Sequence, residues 1–333
     1  MTAETTTRFP ILVSSAGRRG ALVGILRRTL ADLGLAGEIV ATDMTPLSSA
    51  LQLADRHVVV PPQTDPGFVD ATLAACREHG VRLVVPTYDG ELPLLSAARE
   101  RFAEIGTTVS SSAPETVAIG RDKVLTHGWL VEHGFPTVRQ ARPDEVLAAP
   151  GDWPWPLMVK PRTGSAAIGV RRVAGPDDLA RARDEDVVVQ EIAPGHEHTV
   201  DVLVLRDGRC AGAVPRRRIA VRAGEVEKAV TVRHAGLETL ARTIAETLPG
   251  AYGVLNIQVF VEPQGDEMRV IELNARYGGG FPLAFRAGVR YPAWTIEELL
   301  GRPSTVSDDW KDGVVMLRYD DAVFVDAADV GLH

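Results

Sequence analysis

The stretch "VIELNARYGGG", residues 270–280, places three polar side chains in a row at the end of an apolar strand. Glu272, Asn274 and Arg276 follow the opening Val-Ile pair at every second position. Because the side chains of a strand alternate between its two faces, we expect the acid, the amide and the guanidinium to point the same way. The three glycines that come next allow backbone amides to approach an anion closely.

The segment before it, "GVLNIQVFVEP", predicts the other half of a hairpin, with "QGD" as its turn. In this hairpin Gln258 would lie beside Glu272, with Asn274 two residues further along. Such oxygen donors suit Mg²⁺, which completes its shell with waters and substrate phosphates. Arg276 would then stand beside a metal-held phosphate. The alternative is an edge strand that shows polar residues to water.

The composition of the chain argues against several classes of function. The chain has 333 residues, 45% of them apolar and 24% charged, which is typical of a globular protein with two or three structural units. The net charge of −8 argues against a general affinity for nucleic acid. Cys76 and Cys210 have no metal-binding spacing, and we find neither a signal-peptide pattern nor a membrane-spanning apolar run. We therefore expect a cytoplasmic protein with no membrane or nucleic-acid partner.

Strand and helix signals alternate over the first hundred residues. The segments "FPILVSS", "EIVATDM", "HVVVPP", "VRLVVPTYD" and "TTVSSS" are typical of strands, and helical patterns separate most of them. This alternation predicts a doubly wound parallel sheet.

Ligands of such sheets bind at the carboxyl ends of the strands. "SSAGRRG" lies at one end, and Asp43 ends the second strand. Asp89 and Glu91 follow another strand, where they either touch a ligand or cap the next helix. The glycines lack the GxGxxG spacing, so an NAD-binding protein ranks low among the alternatives.

Two lysines precede candidate phosphate-binding segments. Lys160 leaves the apolar strand "LMVK" before a loop that contains Gly164 and Ser165, where an ammonium and loop amides could contact nucleotide phosphates. Lys123, in "GRDK", is the weaker candidate because a helix lysine is usually solvated.

A third segment, "VVVQEIAPGHEHTVD", runs from an apolar strand into Gln190, Glu191 and Ile192. It is typical of a hinge whose backbone groups read an adenine edge. Glu197, shortly after it, either accepts hydrogen bonds from ribose or pairs with an arginine.

The chain resembles the ATP-grasp superfamily over residues 114–300, because five segments follow one another in the order typical of that family. They are "RDK", "VKPRTGS", "VQEIAPGHEHTVD", "GVLNIQVF" and "VIELNARYGGG". The chain is most similar to single-module enzymes that resemble one half of the carbamoyl-phosphate synthase large chain, often carboxylate–amine ligases. It departs from the family pattern at Ala275, where proline is common, and at Gln258, where many relatives have an acid.

The resemblance implies a role for each matching residue, with ATP as the nucleotide and Mg²⁺ as the metal, Mn²⁺ being an alternative. Its assignments are phosphate contacts at Lys123 and Lys160, a lid loop at Gly164 and Ser165, an adenine hinge at Gln190, Glu191 and Ile192, a ribose acceptor at Glu197, metal ligands at Gln258, Glu272 and Asn274, and catalysis by Arg276, Lys160 and Arg218.

The resemblance also implies the domain organisation. We expect an N-terminal α/β domain at residues 1–113 and an ATP-grasp domain at 114–333. The latter would comprise a lid at 124–190, a catalytic subdomain at 191–300 and a tail at 301–333. Within the tail, "GVVMLRY" is expected to add a strand to the last sheet or to form a dimer contact. Dimers are common for such folds, and the sequence leaves a homodimer open.

We expect a reaction in which a small-molecule carboxylate attacks the γ-phosphate of ATP, and an amine then displaces phosphate from the acyl phosphate. The alternatives are a kinase that stops after phosphorylation and a nucleotide sensor without turnover. Asp201 and His234 are expected to make structural hydrogen bonds. A cluster of arginines indicates an acidic group on one substrate; its members are Arg216, Arg217, Arg218 and Arg286.

Overall fold

The computed structural model of the chain describes residues 7–164, 168–263 and 267–332. Ser165 and the "QGD" turn lie outside these ranges. The described residues form a parallel five-stranded sheet, an antiparallel four-stranded sheet and an antiparallel six-stranded sheet, which confirms the predicted fold class. No helix in the described ranges is both long and apolar enough to cross a bilayer.

The first sheet is parallel and has helices on both faces. Its strands are β1 (Ile11–Ser14), β2 (Ile39–Asp43), β3 (Arg56–Val59), β4 (Leu83–Pro86) and β5 (Thr108–Val109), in the order β3-β2-β1-β4-β5. Its helices are α1 (Gly20–Asp32), α2 (Ser49–Leu53), α3 (Phe68–His79), α4 (Leu92–Ala97) and α5 (Arg99–Ala103). The strand order reverses between β1 and β4, which is where ligands of such sheets bind.

The strands of this sheet are apolar on both faces because each face packs against its own helix layer. Leu12 belongs to one buried cluster, while Ile11 and Val13 belong to the other. The second cluster continues into Phe281 and Trp294 near the end of the chain. The N-terminal sheet and the C-terminal helices therefore share one core.

The middle of the chain forms a smaller unit. It begins with α6 (Pro114–Arg121) and α7 (Lys123–Glu132) and continues through β6 (Gln140–Ala141), α8 (Pro143–Ala148), β7 (Leu157–Pro161), β8 (Arg171–Val173), α9 (Pro176–Ala180) and β9 (Val187–Glu191). The strand order is β6-β9-β7-β8. Asp122 caps α7 by accepting from the Val124 amide at 2.9 Å, and it also pairs with Arg162.

The last and largest sheet carries the hairpin that contains Gln258 and Glu272. Its elements are β10 (His196–Val204), β11 (Cys210–Arg222), β12 (Glu225–Thr231), α10 (Ala235–Thr247), β13 (Gly253–Val261), β14 (Met268–Asn274), α11 (Phe281–Ala287), α12 (Tyr291–Leu300) and β15 (Val315–Leu317). The strand order is β14-β13-β10-β11-β12-β15. The strand predicted in "GVVMLRY" is β15, which pairs with β12 of its own sheet.

This sheet has an apolar face and a polar face. Val200 and Val202 of β10 pack with Leu237 and Ile244 of α10 in one buried cluster. Alternation along β10 turns Glu197, Thr199 and Asp201 to the opposite face. That face is turned toward the smaller sheet.

Candidate active site

The polar row on the last hairpin lines a cavity of about 560 Å³ between the small sheet, the large sheet and the N-terminal domain. Gln258 of β13 stands directly opposite Glu272 of β14, and Asn274 lies two residues along. All three residues line the cavity. The structure thus places the three predicted metal ligands side by side.

The oxygens of these three side chains are free for a ligand. No other described residue donates a hydrogen bond to the side chain of Gln258, Glu272 or Asn274, and the nearby cations act on Glu272 only through space. Burial raises the pKa of the Glu272 carboxyl, Asp89 acts in the same direction, and Lys123 is the main group that opposes them. A carboxylate withdrawn from water without a hydrogen bond is costly, so a cation would relieve this site.

The donor set fits Mg²⁺ in particular. Within the described ranges there is no group of three or more His, Cys, Asp or Glu side chains that could hold a metal ion. Glu272 therefore offers one carboxylate beside two amide oxygens. Magnesium is typically bound by one or two carboxylates, with waters and substrate phosphates filling the other positions.

Lys160 and Lys123 face the same cavity from the small unit. Burial lowers the pKa of Lys160, while Glu272 raises it. The Lys123 ammonium donates to the Gly164 carbonyl at 3.4 Å, and Gly164 has a positive φ of 117°. Both ammonium groups therefore stand beside the loop predicted to hold phosphates; Ser165 of that loop lies beyond what the structure describes.

The predicted adenine hinge lines the cavity at the end of β9. The Gln190 amide donates to Gln140 Oε1 at 2.7 Å, and its own oxygen is buried with no hydrogen-bond partner in the described ranges. Glu191 and Ile192 follow at the cavity wall. The unpaired Gln190 oxygen is an acceptor of the kind that an adenine amino group needs.

Glu197, predicted to accept hydrogen bonds from ribose, is paired with Arg218. Both residues line the cavity, and the contact joins β10 to β11. In this structure Glu197 therefore has the second of its two predicted roles, that of an ion-pair partner for an arginine. Arg218 lies at the Glu197 end of the face, and no contact links it to Arg276.

Arg276 points across the cavity to the N-terminal domain. Its Nε and Nη2 donate to the two oxygens of Asp89 at 2.8 and 2.7 Å. The sequence predicts either a ligand contact or a helix cap for Asp89, and this ion pair is neither of the two. No sequence signal connects residues 187 positions apart, and only the fold brings them together.

A buried network lies beside the polar row. Arg216 donates to the Asp201 carboxylate through Nε at 2.5 Å and through Nη2 at 3.0 Å, and the Asn256 amide donates to the same carboxylate at 2.7 Å. Asp201 thus has the structural role expected of it. Arg216 lines the cavity, whereas Arg217 and Arg286 are exposed and line neither described cavity.

The three glycines after Arg276 leave room for polar groups. A Cβ on Gly278 would lie 2.2 Å from Asn256 Oδ1, and one on Gly280 would lie 2.1 Å from Arg216 Nη1. A Cβ on Gly279 would lie 1.7 Å from Glu225 Oε2. The chain omits side chains here because the surrounding groups of the site occupy that space.

Glu91, the other carboxylate after β4, is fully buried and lines neither cavity. It accepts hydrogen bonds from the hydroxyls of Ser14 and Ser15 and from the amides of Thr87 and Tyr88, at 2.6 to 3.1 Å. It therefore ties the ends of β1 and β4 together instead of contacting a ligand. Burial raises its pKa, and the hydrogen bonds oppose that shift.

Comparison with known proteins points to one family. A model described as PylC-like, N-terminal domain matches residues 11–110, and a model described as ATP-grasp in the biosynthetic pathway with Ter operon matches residues 183–322. A D-alanine–D-alanine ligase of Corynebacterium glutamicum is 28% identical over 195 residues, 54% of this chain and 53% of the relative. The chain spans about half the length of such ligases.

Longer matches cover most of the chain. A formate-dependent phosphoribosylglycinamide formyltransferase of Synechococcus is 25% identical over 329 residues, covering 88% of this chain and 79% of the relative. Among solved structures, the biotin carboxylase domain of Hydrogenobacter thermophilus 2-oxoglutarate carboxylase superposes with a TM-score of 0.72 at 17% identity. That match covers 92% of this chain and 73% of the other, and it shows a shared fold.

Proposed function

We propose, from the premise that this chain is an ATP-grasp protein, that it is an ATP-dependent ligase that joins a carboxylate to an amine. One observation carries the proposal. The unpaired oxygens of Gln258, Glu272 and Asn274 lie in the same cavity as the ammonium groups of Lys123 and Lys160. That arrangement suits a triphosphate with its magnesium ion.

In the first step, an oxygen of the substrate carboxylate attacks the γ-phosphorus of ATP, and the bond from that phosphorus to the β–γ bridging oxygen breaks. ADP leaves and an acyl phosphate remains. Lys160 and Lys123 hold the phosphates, and Arg276 neutralises charge on the transferred phosphoryl group. Mg²⁺ bound by Gln258, Glu272 and Asn274 would supply further charge neutralisation, and Mn²⁺ is the alternative metal.

In the second step, the nitrogen lone pair of the amine forms a bond to the acyl carbon. The carbon–oxygen bond to the phosphate breaks, the phosphate takes that electron pair, and the new amide nitrogen loses its proton to the departing phosphate. The chain's contribution is to keep bulk water out, because an acyl phosphate is otherwise hydrolysed. Gly164, at the start of the predicted lid loop, lines the cavity.

The relatives favour ligation over the kinase alternative. One is named a ligase and the other a formate-dependent formyltransferase. The biotin carboxylase structure is described as a complex with MgADP, ADP and bicarbonate, which supports ATP and Mg²⁺ for this chain. A sensor without turnover would have no use for free metal-binding oxygens beside Arg276.

The proposal extends to small-molecule substrates, a cytoplasmic location and a homodimer. The last is supported by the description of the biotin carboxylase domain as a dimer. Light scattering of the purified chain would test it, and a monomer at micromolar concentration would contradict it.

Glu272→Gln tests the function directly. We expect the variant to lose MgADP binding in calorimetry, and to lose ADP release in assays with pairs of amino acids. Glu262→Gln is the matched control, because Glu262 lies on the same hairpin but lines neither cavity. Unchanged turnover in Glu272→Gln would contradict the ligase proposal, and ADP release that is independent of any amine would favour the kinase.

A further inference from the structure

A second cavity, of about 1040 Å³, opens at the carboxyl ends of β1 and β2. Its wall includes the "SSAGRRG" loop, Asp43 and residues 318–321 of the tail. Apart from Arg19, which also lines the first cavity, none of these residues belongs to the nucleotide site.

The two cavities share part of one wall. Residues common to both are Arg19, Thr87, Tyr88, Glu225 and Val226. Arg19 pairs with Glu225 at 3.1 Å, and the charges of Arg276 and Asp89 also act on it. The shared wall therefore lies at the Arg276 end of the nucleotide cavity, where the phosphoryl group would be transferred, and not at the adenine end.

Most carboxylates around the second cavity already have a cation. Glu225 pairs with Arg19, and Arg222 pairs with both Glu227 and Asp320. Because these carboxylates are already paired with arginines, they have little negative charge left to attract a cationic ligand.

Asp43 is different because backbone amides are its only hydrogen-bond partners among the residues that the structure describes. It accepts hydrogen bonds from Gly17 and Met44, both at 2.7 Å, and no described cation pairs with it. The two amides fix the carboxylate at the cavity wall, outside the part shared with the nucleotide site. Asp321 of the tail also lacks an ion-pair partner in the described ranges, whereas the charge of Arg18 acts on Asp320.

We propose that the second cavity binds the carboxylate substrate, and that this substrate also carries an ammonium group, as an amino acid does, which pairs with Asp43. Its carboxylate would then extend to the shared wall beside Arg276. An oriented carboxylate without a cation is the complement of an ammonium, and such a charged hydrogen bond is stronger than a neutral one. The inference rests on the ligase proposal and adds the class of the substrate to it.

The test uses the full chain saturated with MgADP. Each free amino acid, in both configurations, is titrated by calorimetry, and the strongest binder is compared with its analogue that lacks the amino group. We expect at least one amino acid to bind, and removal of its amino group to weaken binding about ten- to a hundredfold.

Asp43→Asn should bind the amino acid and its analogue equally weakly, with MgADP binding unchanged. Asp43→Glu, which keeps the charge, should still prefer the amino acid. Asp32→Asn is the control, because Asp32 is exposed at the end of α1 and lines neither cavity; it should behave as the wild type.

Three results would overturn the inference: no amino acid binds, Asp43→Asn binds it as tightly as the wild type, or Asp43→Asn weakens the binding of the amino acid and of its analogue by the same factor, so that the preference for the amino group is kept. The last would give Asp43 only the role of holding the Gly17 loop. Failure of the wild type to bind MgADP would overturn the ligase proposal itself.

Discussion

Arg276 and Asp89 form a two-point ion pair that joins the last hairpin to the first sheet. The two hydrogen bonds measure 2.8 and 2.7 Å, and both side chains are mostly buried, at 13% and 17% exposed. The pair occupies Nε and Nη2 of the guanidinium and fixes its plane. Arg276 is thereby held at the wall of the first cavity, where its charge acts on Arg19 of the shared wall.

Asp89→Asn should lower kcat with little change in MgATP affinity. Without the second charged oxygen, Arg276 can rotate away from the transferred phosphoryl group, and small errors of position cost about ten- to a hundredfold in rate. Steady-state kinetics beside nucleotide binding would measure both effects, with Asp32→Asn as the control. A normal kcat would mean that Arg276 needs no positioning by the N-terminal domain.

Lys160 should give nucleotide binding an alkaline limit. Because burial lowers its pKa below 10.5, the ammonium loses its proton at a lower pH than an exposed lysine would. MgADP affinity should therefore fall as the pH rises through that lowered value. Lys160→Arg, which stays charged, should bind MgADP with less dependence on alkaline pH, and identical profiles would show that Lys160 does not contact the phosphates.

Glu91→Gln should destabilise the fold by about 1–3 kcal/mol, because an amide nitrogen cannot accept the hydrogen bonds that converge on this fully buried carboxyl. The cost should depend on pH. The folded-state pKa of Glu91 is raised above 4.5, so the native chain holds this proton more tightly than the unfolded chain does.

The stability difference between wild type and Glu91→Gln should therefore shrink as the pH rises from about 4.5 through the raised pKa, and then level off. Urea unfolding at a series of pH values would measure it. A difference that grows over this range would show that the hydrogen bonds from Ser14 and Ser15 outweigh burial.

The sequence predicted those features of the fold and the site that depend on the pattern of neighbouring residues. The alternation of strands and helices predicted the parallel sheet, and the period of two in β14 predicted that Glu272 and Asn274 share a face. It could not predict which distant charges meet. Asp89 with Arg276, and Glu225 with Arg19, are paired by the way the domains pack, and nothing in the neighbouring residues marks them as partners.

The same limit applies to the arginine cluster. Arg216, Arg217 and Arg218 are consecutive, yet β11 turns Arg216 toward buried Asp201 and leaves Arg217 exposed. Alternation along a strand predicts that neighbours differ, but not which of them faces inward, because that depends on the register with β10. Arg286, on α11, was grouped with them by charge alone.

Gly280→Ala should be costly, because the new Cβ would lie 2.1 Å from Arg216 Nη1. The guanidinium cannot easily withdraw, since two hydrogen bonds hold it against Asp201. We expect a loss of about 1–3 kcal/mol in the free energy of unfolding, as is typical of overpacking, together with weaker turnover.

Gly24→Ala is the matched substitution, and we expect it to raise the free energy of unfolding where Gly280→Ala lowers it. Gly24 is exposed within α1, and a Cβ there would meet nothing within 4 Å. Alanine at such a helix position should stabilise by about 0.5–1 kcal/mol, because it restricts the unfolded chain more than glycine does. Urea unfolding of both variants measures the pair, and a neutral Gly280→Ala would mean that Arg216 and the glycine run move independently.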